Sequence, residues 1–275
     1  MKKTQIIISF LLIASVTALP IDRVIVNGDT LITYSNILQQ HPNKKELIDS
    51  IYSKLELEDR KINPQKYKSN ESEAFEYLAT WTIQKNKLML CSINADFDMK
   101  VKVDLKKIFE KEMVNGVVFA NWLTGNINLC KGKILAEGGE PIWDNEIELK
   151  ITKGYLTKAT AFKNHITKVS RFRNNNSFIY SRIDWDKLPV LKNNAVQAYI
   201  FIRPNKEGLL ESIEESSFVY EDSKIVMDKE NVFLKEAFRI TRLVPEWDVI
   251  YRKNKIVIQP LVIIFDENNR KKYIH

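Results

Sequence analysis

Glu236-Ala237-Phe238-Arg239-Ile240, then Pro245-Glu246-Trp247, a basic turn Tyr251-Arg252-Lys253-Asn254-Lys255 and the apolar run Ile256 to Phe265 decide the fold of the C-terminal third. Phe233, Ala237, Ile240 and Val244 recur at i, i+4, i+7 and i+11, which is one face of a helix. Asp228 stands ahead of that face as an N-cap, and Pro245 stops the helix because proline lacks the backbone donor needed to continue it. Trp247 then closes over the helix core. Ile256 to Phe265 reads as one long closing strand. Pro260 inside it removes a ladder donor and places the strand at an edge or beside a bulge. Upstream, Val196 to Arg203 alternates as a strand, Pro204-Asn205-Lys206-Glu207-Gly208 turns, and Leu209 to Glu214 returns. The order strand, strand, helix, strand predicts a small α+β sandwich, ββαβ, with one helix over a sheet.

Working toward the N-terminus, the polar stretch Lys168 to Ser181, with Asn174-Asn175-Asn176 inside it, reads as a linker. Before it, strand-like runs dominate. Val24 to Val26 and Thr30 to Thr33 flank Asn27-Gly28, a pair suited to the positive φ of a type I′ hairpin turn. Tyr77 to Ile83 and Lys87 to Ile93 flank Lys85-Asn86, and Glu146 to Thr152 and Tyr155 to Phe162 flank Lys153-Gly154. Further strands fall at Val117 to Ala120 and Ile127 to Leu135. One helix is predicted after Asn43, with Leu47, Ile51 and Leu55 on its inner face, and a second after Asp104, with Leu105, Ile108, Phe109 and Met113. Asp59 to Glu73 lacks periodicity and reads as a loop. The layout is a leader over residues 1–18, a β-rich domain with two helices over 19–167, a linker over 168–183 and the C-terminal module over 184–275.

The leader has Lys2-Lys3, an apolar run from Ile6 to Ala14, and Val16 and Ala18 at the positions of a small-residue cleavage site. Its apolar run is shorter than the roughly 20 residues that span a bilayer, so it predicts export to the periplasm, with an uncleaved anchor as the alternative. After cleavage no stable membrane anchor is expected. The formal charge is +7, two of its lysines lie in the leader, and the remaining basic residues are scattered. A nucleic-acid surface gathers them into one stripe, so none is expected. Cys91 and Cys130 both lie in strand-like runs, and the spacing admits either a disulfide or two separate thiols but no CxxC motif. His41, His165 and His275 form no metal-ligand pattern, and no cofactor is expected. Asn94-Ala95-Asp96-Phe97-Asp98 alternates oxygens as a calcium loop would, yet lacks the glycine and closing glutamate, so it reads as a polar turn. Asp184-Trp185-Asp186 places its tryptophan to pack across the domain junction. Arg239, off the apolar stripe, reads as a surface residue that pairs with an acidic neighbour, with a partner contact as the alternative.

The residues from about Leu188 to Asp266 resemble the C-terminal domain of TonB. That family typically shows Glu-Ala-Leu-Arg in its helix, Pro-x-Trp at the helix exit, an Asn-Gly-Lys turn and a last strand ending near a phenylalanine. Here Phe238 replaces the leucine, Asp248-Val249 replaces a common Lys-Pro, and the turn lacks its glycine. The resemblance implies a receptor for a short extended segment at the periplasmic end of an outer-membrane transporter. Such a receptor holds its ligand by β-augmentation, in which a strand edge supplies backbone hydrogen bonds and side-chain pockets add selectivity. Eight dispersed prolines make no TonB-like spacer, so the resemblance covers the binding end and not the energy-delivering machinery. The edge it implies is the last strand, through Val257, Gln259, Leu261 and Ile263 or their alternates. In the N-terminal domain, Val26-Asn27-Gly28-Asp29-Thr30 and Ala79-Thr80-Trp81 resemble exported Bacteroidetes proteins of unknown function and imply no activity. The expectation is a non-enzymatic periplasmic binding protein with a protein or peptide partner. Its alternatives are an envelope structural protein whose C-terminal module pairs only with itself, including as a homodimer, or with the N-terminal domain, and a hydrolase with a carboxylate pair in the N-terminal domain.

Overall fold

Type I′ turns lay out the strands. The computed structural model describes residues 21–62, 77–95, 99–110, 112–137, 140–172, 175–191 and 194–274, and the leader lies outside them. The chain is α+β and rich in strand, and it divides into two compact units that part between Lys163 and Asn164. In the first unit β1 (Asp22–Val26) and β2 (Asp29–Thr33) flank Asn27-Gly28, and β3 (Tyr77–Gln84) and β4 (Lys87–Ala95) flank Lys85-Asn86. β5 (Met113–Val114) and β6 (Val117–Phe119) flank Asn115-Gly116. β7 (Gly125–Ala136) precedes β8 (Ile142–Thr152) and β9 (Tyr155–Lys163), which flank Lys153-Gly154. Both residues of each of these four turns have positive φ, the geometry whose twist suits an antiparallel pair.

Seven of these strands pair in a ring: β1, β2, β7, β8, β9, β4, β3 and back to β1. β1 runs parallel to β3, and the other links are antiparallel. Two links are narrow. β2 meets β7 at Ile32↔Cys130, and β4 meets β9 at Lys87↔Tyr155. The second seam is reinforced at the turn, where Leu88 N donates to Gly154 O at 2.9 Å and Leu156 N donates to Asn86 O at 2.7 Å. Val24, Trp81, Leu90, Ile127 and Leu149 fill one core together with Leu47, Ile51 and Leu55 of α1 (Lys44–Ile62). That helix runs through Asp59 to Ile62, four residues into the expected loop, and the ion pairs Glu56–Arg60 and Glu58–Lys61 line its last turns. The rest of that loop, residues 63–76, lies outside the described residues. The helix expected after Asp104 is a single 3-10 turn, Leu105–Lys107, which Asp104 does cap. Met113 has already entered β5, because Asn115-Gly116 commits its neighbours to a hairpin.

The second unit begins at Asn164, so the expected linker is part of it. β10 (His165–Lys168) pairs with β15 (Val249–Arg252), and β15 pairs with β16 (Lys255–Ile256) across Lys253-Asn254. α2 (Asn176–Tyr180) falls in the polar stretch, capped by Asn175, with Ile179 and Tyr180 buried in this unit's core. The main sheet centres on β11 (Val196–Pro204). β12 (Leu210–Ile213) and β13 (Phe218–Glu221) pair in succession along one edge, β17 (Gln259–Phe265) pairs along the other, and β14 (Lys224–Val226) lies outside β13. The sheet is thus larger than ββαβ by the β13–β14 hairpin, whose Asp222-Ser223 turn has no glycine to announce it. α3 (Val232–Leu243) buries Phe233, Ala237 and Ile240 in the same core as Ala198, Ile200 and Ile202 of β11. Its cap is Asn231, whose Oδ1 accepts from Phe233 N and Leu234 N, rather than Asp228. The chain does not stop at Phe265, since α4 (Glu267–Tyr273) follows.

Candidate docking edge

The long closing strand of the sequence is two strands. Ile256 belongs to β16, Val257 N donates to Ile250 O at 3.0 Å, and β17 starts only at Gln259. β17 then pairs with β11 over its whole length, from Ile202↔Gln259 to Val196↔Phe265. With side chains alternating every residue, Gln259, Leu261 and Ile263 point into the core and are buried. Gln259 Nε2 holds Asp248 O at 2.6 Å. Of the expected partner-binding set, then, three side chains are core and Val257 lies off the strand. The outward positions are their alternates Pro260, Val262 and Ile264, and Val262 is 42% exposed.

The same alternation sorts the backbone groups. Phe201 N and O bond to Ser217 Oγ and Glu214 N, away from β17, so its register partner Pro260 forms no ladder bonds with it. Ile264, two steps of the same parity along, turns its N–H away from β11 to Tyr180 Oη at 3.0 Å, and its carbonyl accepts from Asn269 Nδ2 at 3.1 Å. Pro260 has no N–H. Val262 is left as the position of the outer edge whose N–H and carbonyl both lack a hydrogen-bond partner among the described residues.

Two helices carry the groups that occupy Ile264. Tyr180 ends α2, is 7% exposed, stacks on Tyr273 of α4 at 5.6 Å, and accepts Trp185 Nε1 on its carbonyl at 3.2 Å. Burial pushes its phenol above the ordinary range, so it remains a neutral hydroxyl. Asn269 sits in the first turn of α4, where Asp266 caps by accepting Asn269 N at 2.7 Å. Arg270 ties the helix to Leu188 O at 3.1 Å. The segment between α2 and β11 is clamped in turn by α3. Glu236 Oε1 accepts Asp184 N at 2.7 Å, Arg239 binds both Glu236 oxygens, and Arg239 also donates to Arg182 O. The expected acidic partner of Arg239 is therefore Glu236, three residues back. Trp185 packs on Phe265 at 6.1 Å inside this unit's own core, not across the domain junction. No local sequence pattern singles out Tyr180 or Asn269. The signal for α4 was present in Asp266-Glu267 followed by Arg270-Lys271-Lys272, acid first and base last as the helix dipole favours.

Other chemistry-bearing residues have other tasks. Cys91 on β4 and Cys130 on β7 are both thiols, on strands that are not neighbours in the ring, which corrects the disulfide option. Burial raises the Cys91 thiol above its ordinary range. Asp22 is 1% exposed; its carboxylate accepts Ala79 N at 3.2 Å and Trp81 Nε1 at 3.1 Å, which ties β1 to β3. Burial pushes it up to about 6, against the opposing pull of those donors and of Ile37 N–H. His41 Nδ1 accepts Asn43 N at 3.1 Å, and its ring meets Trp122 edge-on at 4.7 Å. His165 stacks on Tyr251, while His275 lies outside the described residues. In the expected polar turn, Asn94 Nδ2 donates to Met99 O at 2.8 Å, and residues 96–98 lie outside the description. Among the described residues no group of three or more His, Cys, Asp or Glu could hold a metal ion, and no helix is long and apolar enough to cross a membrane.

No protein-family model, curated protein or solved structure matches the chain.

Proposed function

We propose that this protein is an exported, periplasmic binding protein whose C-terminal unit docks an extended segment of a protein or peptide partner against β17. The observation that carries the reading is the state of that strand. β17 is outermost in its sheet, saturated by β11 on one edge, and still offers the Val262 N–H and carbonyl on the other. Val262 and Pro260 supply an apolar outer surface beside those groups, the combination that β-augmentation uses. The resemblance to the TonB C-terminal domain supports a transporter segment as the partner, and the leader supports export.

A second reading has its own observation. Side-chain bonds to Ile264 and a proline at 260 are devices that protect a sheet edge from unwanted pairing. They suit an envelope structural protein in which this edge takes no peptide. Residue-resolved NMR of the leader-free chain, titrated with TonB-box-like peptides, separates the two. Shifts concentrated on Pro260 to Ile264 support docking. An unchanged spectrum at millimolar peptide removes the docking function and leaves the structural one.

A further inference from the structure

We infer that Tyr180 and Asn269 form a removable cap that regulates docking at β17. The inference rests on the strand-docking reading and adds its control. An incoming strand that lies antiparallel or parallel to β17 needs the outward groups of alternate residues. Of the three outward positions, Pro260 has no donor to offer, and Ile264 has both groups already engaged by side chains. With the cap closed, a partner reaches two backbone groups of β17 besides the Pro260 carbonyl, both on Val262. Withdrawal of Asn269 adds the Ile264 carbonyl, and release of the Tyr180 hydroxyl adds the Ile264 N–H, both on the adjacent outward residue, where a continuous ladder needs them.

The movable half of the cap is α4, since Tyr180 itself is held in the core. Tyr180 and Tyr273 stack on each other, so α4 and the tyrosine that reaches Ile264 N are packed together. Asn269, the other half of the cap, belongs to α4 itself. α4 buries none of its seven residues fully; outside β17 and Tyr180 it is held by the Arg270–Leu188 hydrogen bond and by Tyr273, which packs half-buried on the core. A seven-residue helix is too short to be stable alone in water. Its order comes from these contacts, and lifting it from Leu188 frees the Ile264 carbonyl directly and takes away the ring against which Tyr180 stacks. Segments held by few buried contacts open at low free-energy cost. Tyr180 is neutral and Asn269 does not titrate, so the cap opens by displacement and not by a change of charge.

The test uses the full chain without its leader, in four forms: unaltered, Tyr180→Phe, Asn269→Ala and the double variant. Asn268→Ala, an exposed neighbour, controls for changes in α4 itself. Tyr180→Phe keeps the ring and its stack and removes only the oxygen that Ile264 N–H uses. Amide hydrogen exchange reads the cap directly, and Ile264 N–H should exchange at least tenfold faster in Tyr180→Phe while Ile263 is unchanged. Titration with a TonB-box-like peptide reads the gate. Binding should tighten about 2- to 10-fold for each released bond, the range that corresponds to one net hydrogen bond, and Asn268→Ala should match the unaltered chain. Equal affinity in all forms, or an Ile264 amide indifferent to Tyr180, overturns the cap while docking stands. A variant whose Ile264 amide is freed but which binds no peptide overturns docking and the gate together.

Discussion

The two units of this chain solve the same problem in opposite ways. A sheet edge is a row of unpaired donors and acceptors that invites other strands. The N-terminal unit closes seven of its strands into a ring, leaving the short β5 as an outer edge, at the cost of two narrow links, at Ile32↔Cys130 and Lys87↔Tyr155. The C-terminal unit leaves its sheet open and covers the last strand with a proline and two side chains. The difference teaches where each unit is vulnerable. Ring closure is sensitive to backbone geometry at the seams, and the open sheet is sensitive to the polar side chains that stand in for a missing strand.

Substitutions at three positions break or sharpen this contrast. Gly154→Val should have the largest effect. Gly154 has φ +78°, and a Cβ there would lie 2.6 Å from the Phe119 ring and 2.7 Å from Ala120 O, in the turn that carries the β4–β9 seam. Urea unfolding should show a loss of about 4 kcal/mol; a loss below about 1 kcal/mol would mean that the seam does not hold the ring together. Asp22 comes next. Because burial raises its pKa from 3.8 to about 6, the proton is bound more tightly in the folded chain. Its contribution is fully present below about pH 4 and is lost as pH rises to about 6, on the order of 3 kcal/mol in all. Subtracting the unfolding free energy of Asp22→Asn from that of the unaltered chain between pH 4 and 7 isolates this falling term from the other carboxylates. A flat difference would show that the buried donors fully offset desolvation. Glu236→Ala should cost about 2 kcal/mol by stranding Asp184 N–H and the Arg239 guanidinium. Glu236→Gln, which retains one acceptor, should fall between the two in urea midpoint, and identical midpoints for Gln and Ala would remove the clamp.

Much of the architecture was legible because local chemistry dictates it. Asn27-Gly28, Lys85-Asn86 and Lys153-Gly154 each mark a turn with positive φ at both residues, and the runs beside them are strands. Leu47, Ile51 and Leu55 identify the inner face of α1. The α3 stripe was equally clear, though its cap was misplaced from Asn231 to Asp228, since both are good caps close together and only the hydrogen bonds to Phe233 N and Leu234 N distinguish them. The misses share a cause. Leu105, Ile108 and Phe109 have helical spacing, but only Leu105 enters a 3-10 turn, which ends at Lys107, because the hairpin at Asn115-Gly116 claims Met113. Lys168 to Ser181 is polar enough for a linker, yet Ile179 and Tyr180 supply the contacts that seat it. In β17, period-2 alternation identifies two possible faces, and choosing between them requires knowing on which side α3 lies.

By itself, the sequence determined the positions of the turns, the periodicity of the strands and two of the four helices among the described residues, and the division into a β-rich first part and a helix-on-sheet second part. These follow from φ preferences and side-chain spacing, which act over a few residues. Only the tertiary structure decided that the first part closes into a ring, that Cys91 and Cys130 stay apart as thiols, and that Tyr180 and Asn269 reach Ile264. Each of those joins residues far apart along the chain, and which distant groups meet is set by the packing of whole elements around two cores, information that no local pattern contains.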